Sequence, residues 1–148
     1  HIAISSPDEE HAALESGALV PPYDVLTARG RFVVYPVPDL PTLPLIRIVD
    51  WGVRPEPGQI LLTPAFLEHL LKAEEALEQE FGLEVRGRTV FLRAQEFHLT
   101  TLPLTLWFDL HSPLEDHLRR FRTFLASEAA TEARQYVDLR LSDRIVYK

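Results

Sequence analysis

Glu96 and His98 stand two residues apart, and Asp109 and His111 repeat that spacing further along the chain. Residues two apart on an extended strand share a face, so each pair could offer a carboxylate and an imidazole to one ligand. Together the pairs would supply the three or four ligands that zinc takes, which defines a metal-dependent enzyme as one reading. No spacing in the chain brings the pairs together, and polar residues at strand ends are the competing reading. His69 follows Glu68, but Lys72 occupies the position where a helical zinc motif needs its second histidine. The chain has no cysteine, which excludes disulfides, thiolate metal sites and cysteine nucleophiles. It has no Gly-x-Ser-x-Gly elbow, and its six glycines form neither a Gly-x-Gly-x-x-Gly nor a P-loop. Acidic residues fall in runs such as Glu74-Glu75, the pattern of a solvated helix face. The expectation is a chain that is not an enzyme and holds neither a cofactor nor a metal.

Binding chemistry is the alternative. The net charge of −7 disfavours nucleic acid, whose phosphates need a surplus of Lys and Arg, and also disfavours an anionic membrane surface. Arg119, Arg120 and Arg122 form a small basic cluster on a helical stretch. It reads either as ordinary surface placement or as a docking patch for an acidic segment. Trp51 lies in a Gly/Pro loop, and Trp107 shares a strand face with Thr105 and Asp109. Packing accounts for both, although an exposed Trp107 would mark a contact surface.

The last fourteen residues, Gln135–Lys148, carry the clearest surface signal. Val137, Leu139 and Leu141 alternate with Tyr136, Asp138 and Arg140, which is strand patterning. Ser142-Asp143 allows a turn or bulge, and Arg144-Ile-Val-Tyr147 resumes extended chemistry. A strand at a chain end is expected at a sheet edge, where unpaired N–H and C=O groups can template a partner strand.

The elements that must position these residues follow from local signals. A length of 148 residues fits one domain. Residues 1–22, which end in Pro21-Pro22, read as an arm or linker, with Ser6 placed to cap a short helix through Leu14. The remainder, 23–148, reads as the domain. Gly30 predicts a hairpin between 23–28 and 31–35, and 45–49 reads as a strand. Pro36, Pro38 and Pro41 enforce an irregular traverse between them, and 51–58 is a loop. Thr63-Pro64 opens a helix striped by Phe66, Leu70, Ala73, Leu77 and Phe81 and closed by Gly82. Strands are predicted at 83–86, 89–96 and 104–110. Ser112-Pro-Leu-Glu115 reads as a capping box for a second helix striped by Leu114, Leu118, Phe121 and Leu125. Strands outnumber helices and short turns join several neighbours, so the predicted class is α+β, a largely antiparallel or mixed sheet carrying two helices.

This order and its short motifs resemble the C-terminal β-domain of the bacterial cell-division proteins FtsQ/DivIB. The tract Leu104-Thr-Leu-Trp-Phe-Asp-Leu110, the helix with Leu118, Phe121 and Leu125, and Val137-Asp138-Leu139-Arg140 are similar to that family's strand, helix and hallmark Ile/Val-Asp-Leu-Arg strand. Val25-Leu-Thr-Ala-Arg-Gly30-Arg-Phe-Val33 is similar to its hairpin, and Leu40-Pro41 falls in order. Ala28 replaces the family's hairpin Asp, and Asp109 or His111 replaces a Gly. The family's POTRA domain is not recognisable in residues 1–22. The resemblance spans roughly residues 20–148.

The resemblance implies a non-enzymatic, extracytoplasmic scaffold of the divisome, held by an N-terminal membrane helix outside this chain. Its implied partners are FtsB/FtsL-like proteins received by strand addition, with no nucleic acid. Arg140, Leu141 and Asp143 match family contact positions, with Leu141 standing where an aromatic is common. With the edge-strand reading, the expected protein-binding set is Tyr136, Asp138, Arg140, Leu141, Asp143, Arg144 and Val146, with Arg140 and Arg144 selecting an acidic partner. Another cell-envelope scaffold, from a pilus or secretion system, is the rival of the same class.

Overall fold

The computed structural model describes residues 2–5, 24–27, 29–33, 45–50 and 56–148. The chain divides into two units, one of His1–Glu68 with Thr89–Leu92, the other of His69–Arg88 with Arg93–Lys148. The fold is α+β, with helices accompanying a mixed sheet, as the element count predicts.

In the first unit, β1 (Ile2–Ser5), β2 (Asp24–Leu26), β3 (Phe32–Val33), β4 (Leu45–Ile48) and the Thr89–Phe91 part of β5 (Gly87–Phe91) lie in the order β3-β2-β1-β4-β5. The predicted hairpin forms, with Val25 opposite Val33 and Leu26 opposite Phe32. Gly30 sits at φ 75°, and a Cβ there would lie 1.8 Å from the Leu62 carbonyl oxygen, so no other residue fits. The expectation of an arm over residues 1–22 is corrected at its start. β1 pairs antiparallel with β2 and parallel with β4, and Ala3 and Ile4 are buried with Ile46, Ile48, Leu62 and Val90. Burial of these two apolar residues and main-chain pairing on both sides together offset the cost of ordering the segment. The proposed short helix from Ser6 and the Trp51 loop start lie outside the described residues.

Helix α1 (Pro64–Phe81) begins in this unit, and Thr63 Oγ1 accepts the Phe66 N–H at 3.1 Å, the expected N-cap. It ends at Gly82, at φ 65°. Phe66, Leu70, Ala73 and Leu77 of the predicted stripe are buried.

The second unit holds β6 (Glu96–Thr100), β7 (Thr105–Asp109), β8 (Tyr136–Asp138) and β9 (Val146–Tyr147), in that order. Helices α2 (Leu114–Leu125) and α3 (Ala129–Glu132) form the crossover from β7 to its parallel neighbour β8. Phe97, Leu99, Leu106, Phe108 and Val137 are buried, as are Leu118, Phe121 and Phe124 of α2. No helix among the described residues is long and apolar enough to cross a membrane.

Four local expectations are corrected here. Residues 83–86 are not a strand. The predicted strand 89–96 is broken by a turn at 92–95, with Gln95 at φ 52°, and a strand follows it at 96–100. A run of β-compatible residues hides such a turn because it carries no Gly or Pro. The capping box does not form: α2 starts after Pro113 with no side-chain cap. Instead Asp109 Oδ1 accepts the N–H groups of His111 and Ser112 at 3.1 and 3.2 Å. On α2, Phe124 and His117 are buried, whereas Leu125 is 46% exposed.

Candidate functional site

The terminal segment folds as a hairpin rather than as one edge strand. β8 is paired on both sides, parallel to β7 and antiparallel to β9. Its backbone is therefore unavailable for strand addition, which corrects the expectation of an edge running from Tyr136 to Tyr147. The edge of this ladder is β9 alone, among the described residues. Lys148 N–H donates to the Tyr136 C=O at 3.0 Å, and Tyr136 N–H returns to Lys148 C=O at 3.2 Å. In an antiparallel ladder the residues between such pairs direct their N–H and C=O away from the neighbouring strand. Tyr147 therefore aims its backbone groups outward. Its side chain packs against Phe124 at 5.9 Å between ring centroids, and its hydroxyl donates to Glu132 Oε2 at 2.9 Å.

The seven expected binding residues separate into two groups. Tyr136, Asp138 and Arg140 belong to an internal network on the sheet face that carries Trp107. His98, Trp107 and Tyr136 come from three adjacent strands and stack in a row, with centroids 4.6 and 4.2 Å apart. The Arg140 guanidinium lies 5.1 Å over Trp107. It donates to Asp138 through Nε at 2.8 Å and Nη2 at 2.7 Å, and pairs with Glu96 through Nη1 at 2.5 Å. Burial pushes the Asp138 carboxyl up, but the bonds and charge of Arg140 outweigh it and hold the group below its ordinary value. Burial, reinforced by the Arg140 charge, lowers His98 to about 4. Arg140 is thus engaged within the fold by two carboxylates.

Leu141, Asp143 and Arg144 are placed differently. With Ser142, Ile145 and the α2 residues Arg119, Arg120 and Thr123 they line a groove of about 400 Å³. The basic cluster and the terminal loop, separate in the sequence, thus meet along one cleft. Arg120 Nη1 donates to the Leu139 C=O at 2.7 Å and ties α2 to the start of the loop. Arg119 pairs with Asp116 at 2.8 Å but keeps 65% of its side chain exposed. Arg122 instead bonds Glu80 and Glu115 and is not a lining residue. Arg144 is exposed, and its side chain has no ion-pair or hydrogen-bond partner among the described residues. Val146 is half-buried in β9 and is not among the residues that line the groove.

The metal reading fails on geometry. Glu96 and Asp109 are register partners, but Glu96 turns to Arg140 and Asp109 to His117. His98 stacks on Trp107, and His111 is exposed. Among the described residues no group of three His, Asp or Glu side chains is placed to hold a metal ion. His117 was not anticipated as a polar core residue, although its place on the α2 stripe beside Leu118 and Phe121 signals burial. Comparison with protein-family models and with curated proteins finds no match to the chain.

Proposed function

We propose that this chain is a non-enzymatic interaction domain of the FtsQ/DivIB kind, an extracytoplasmic division scaffold that receives an acidic, strand-forming segment of an FtsB/FtsL-like partner. The observation that carries this reading is the adjacency of β9, whose Tyr147 backbone groups point outward, to the groove lined by Arg119, Arg120 and Arg144. A strand added to β9 gains main-chain hydrogen bonds from the edge, and its flanking carboxylates meet the unpaired Arg144. The edge is short, so specificity falls to the groove. Motif order contributes the family, through Val137-Asp138-Leu139-Arg140 following the α2 segment.

The test is titration of an acidic FtsB-like peptide against wild type, Arg144→Glu and Tyr147→Pro. Proline at 147 removes the outward N–H and leaves the bonds to β8, which come from its neighbours. It also deletes the ring over Phe124 and the bond to Glu132, so Tyr147→Ala is the side-chain control and is expected to bind more tightly than Tyr147→Pro. Arg144→Glu is expected to weaken binding at least tenfold and to flatten its salt dependence, and Tyr147→Pro to weaken it comparably. Equal affinity for wild type, Arg144→Glu and Tyr147→Pro would overturn the proposal.

A further inference from the structure

Outside the groove, the second unit buries a polar cluster that the proposed function does not use. His117 on α2 is fully buried, and its Nε2 lies 3.2 Å from Asp109 Oδ1 at the end of β7. With that carboxylate also accepting two backbone N–H groups, Nε2 is the donor and Nδ1 carries the lone pair. Nδ1 is buried without a hydrogen-bond partner, and so is Nε2 of His69 on α1. The two rings stand 6.0 Å apart at 74°. Phe97 and Phe108 close the cluster, edge-on to His69 and His117 at 5.8 and 5.5 Å.

We infer that His69, His117 and Asp109 form an acid-sensitive latch that holds α1 and α2 on the sheet while both imidazoles are neutral. Protonating His117 would create an N–H at Nδ1 with no acceptor, inside a layer of phenylalanine rings. Protonating His69 as well would place two cations 6.0 Å apart across the helix pair. The surrounding charges do not reverse this. Asp109 favours the charged form of both rings, whereas Lys72 on α1 opposes it at His69, and Arg120 on α2 opposes it at His117. Burial dominates and keeps both below the ordinary value of 6.5.

The sign follows from proton linkage. The unfolded chain binds these protons below pH ~6.5 and the folded chain does not. Stability is therefore complete above that pH and falls as the solution is acidified, until the folded-state values are crossed. Each histidine contributes up to about a tenfold rise in the unfolding constant per pH unit, so the pair contributes up to about a hundredfold. Arg120 lies one turn from His117 and anchors the groove to Leu139. A loosened α2 would release a bound partner, a consequence that rests on the function proposed above.

Urea unfolding between pH 5 and 8, on wild type and on the His69→Phe/His117→Gln double variant, tests the latch without any partner. Wild type is expected to lose stability below pH 6.5 more steeply than the variant, and identical slopes would overturn the latch. Imidazole NMR titration of the wild type reads the same point without a substitution. His69 and His117 are expected to titrate below the ordinary 6.5, and midpoints near 6.5 for both would overturn the inference. Steep, histidine-dependent unfolding combined with no peptide binding at any pH would support the latch and sink the binding function instead.

Discussion

Replacing Arg140 by methionine tests whether the terminal network stabilises the fold or serves a partner. The substitution keeps an unbranched apolar side chain but removes the guanidinium over Trp107, two bonds to Asp138 and one to Glu96. The Asp138 side chain is only 6% exposed, so its carboxylate would be left buried without a countercharge, holding only the bond from the residue-140 backbone N–H. Removing one partner of such a pair costs about 3–5 kcal/mol when fully buried, and the 24% exposure of Arg140 argues for the lower figure, ~3 kcal/mol. Unfolding entropy of about 2.1 cal/mol/K per residue over 148 residues gives ~0.3 kcal/mol/K, so Tm should fall by about 10 °C. Asp138 lies below its ordinary pKa in the native protein, so its contribution is present above pH ~4 and lost as pH falls through the folded value. Without Arg140, burial dominates and raises the carboxyl, so the penalty should be largest at pH 7 and shrink towards pH 3. Adding Asp138→Asn to the Arg140→Met variant should recover about 1–2 kcal/mol by removing the stranded charge. Urea unfolding followed by tryptophan fluorescence measures all three proteins. A loss below about 1 kcal/mol at pH 7, or a second substitution that adds further damage, would refute the reasoning.

Two further substitutions probe the first unit. Gly30→Ala forces a Cβ against the Leu62 carbonyl at a positive φ. It should cost about 3 kcal/mol or more in chemical unfolding, and a variant within ~1 kcal/mol of wild type would show that the turn can relax. Thr63→Ala removes the cap on the Phe66 N–H and should cost about 1 kcal/mol by the same measurement, without altering the far-UV circular dichroism of the folded state. An unchanged unfolding midpoint would show that water replaces the hydroxyl at no cost.

Signals that act within a few residues were legible. Thr63-Pro64 and Gly82 bounded α1 because capping geometry is set locally by side chain and φ. Gly30 announced its hairpin for the same reason. The capping box at Ser112 misled because Asp109, three residues earlier, accepts the Ser112 N–H that the Glu115 side chain would have taken. The turn at 92–95 was invisible because Gln95 adopts a positive φ that its type does not advertise. The residues expected to bind a partner fall in two places. Leu141, Asp143 and Arg144 do line a cleft, whereas Tyr136, Asp138 and Arg140 are spent on one another and on neighbouring strands.

Alternation, stripes and caps in the chain by themselves determined the α+β class, α1 with its buried face and the extended character of the terminal segment. These depend on periodicity and on chemistry between near neighbours. Tertiary structure alone decided which strand became the edge, because pairing partners are chosen by a whole sheet and not by one strand. It also decided that Arg119, Arg120 and Arg144 share a groove and that His69 and His117 meet over Asp109. Those meetings join residues that the sequence keeps far apart, and only the packing of helices on the sheet closes the distance.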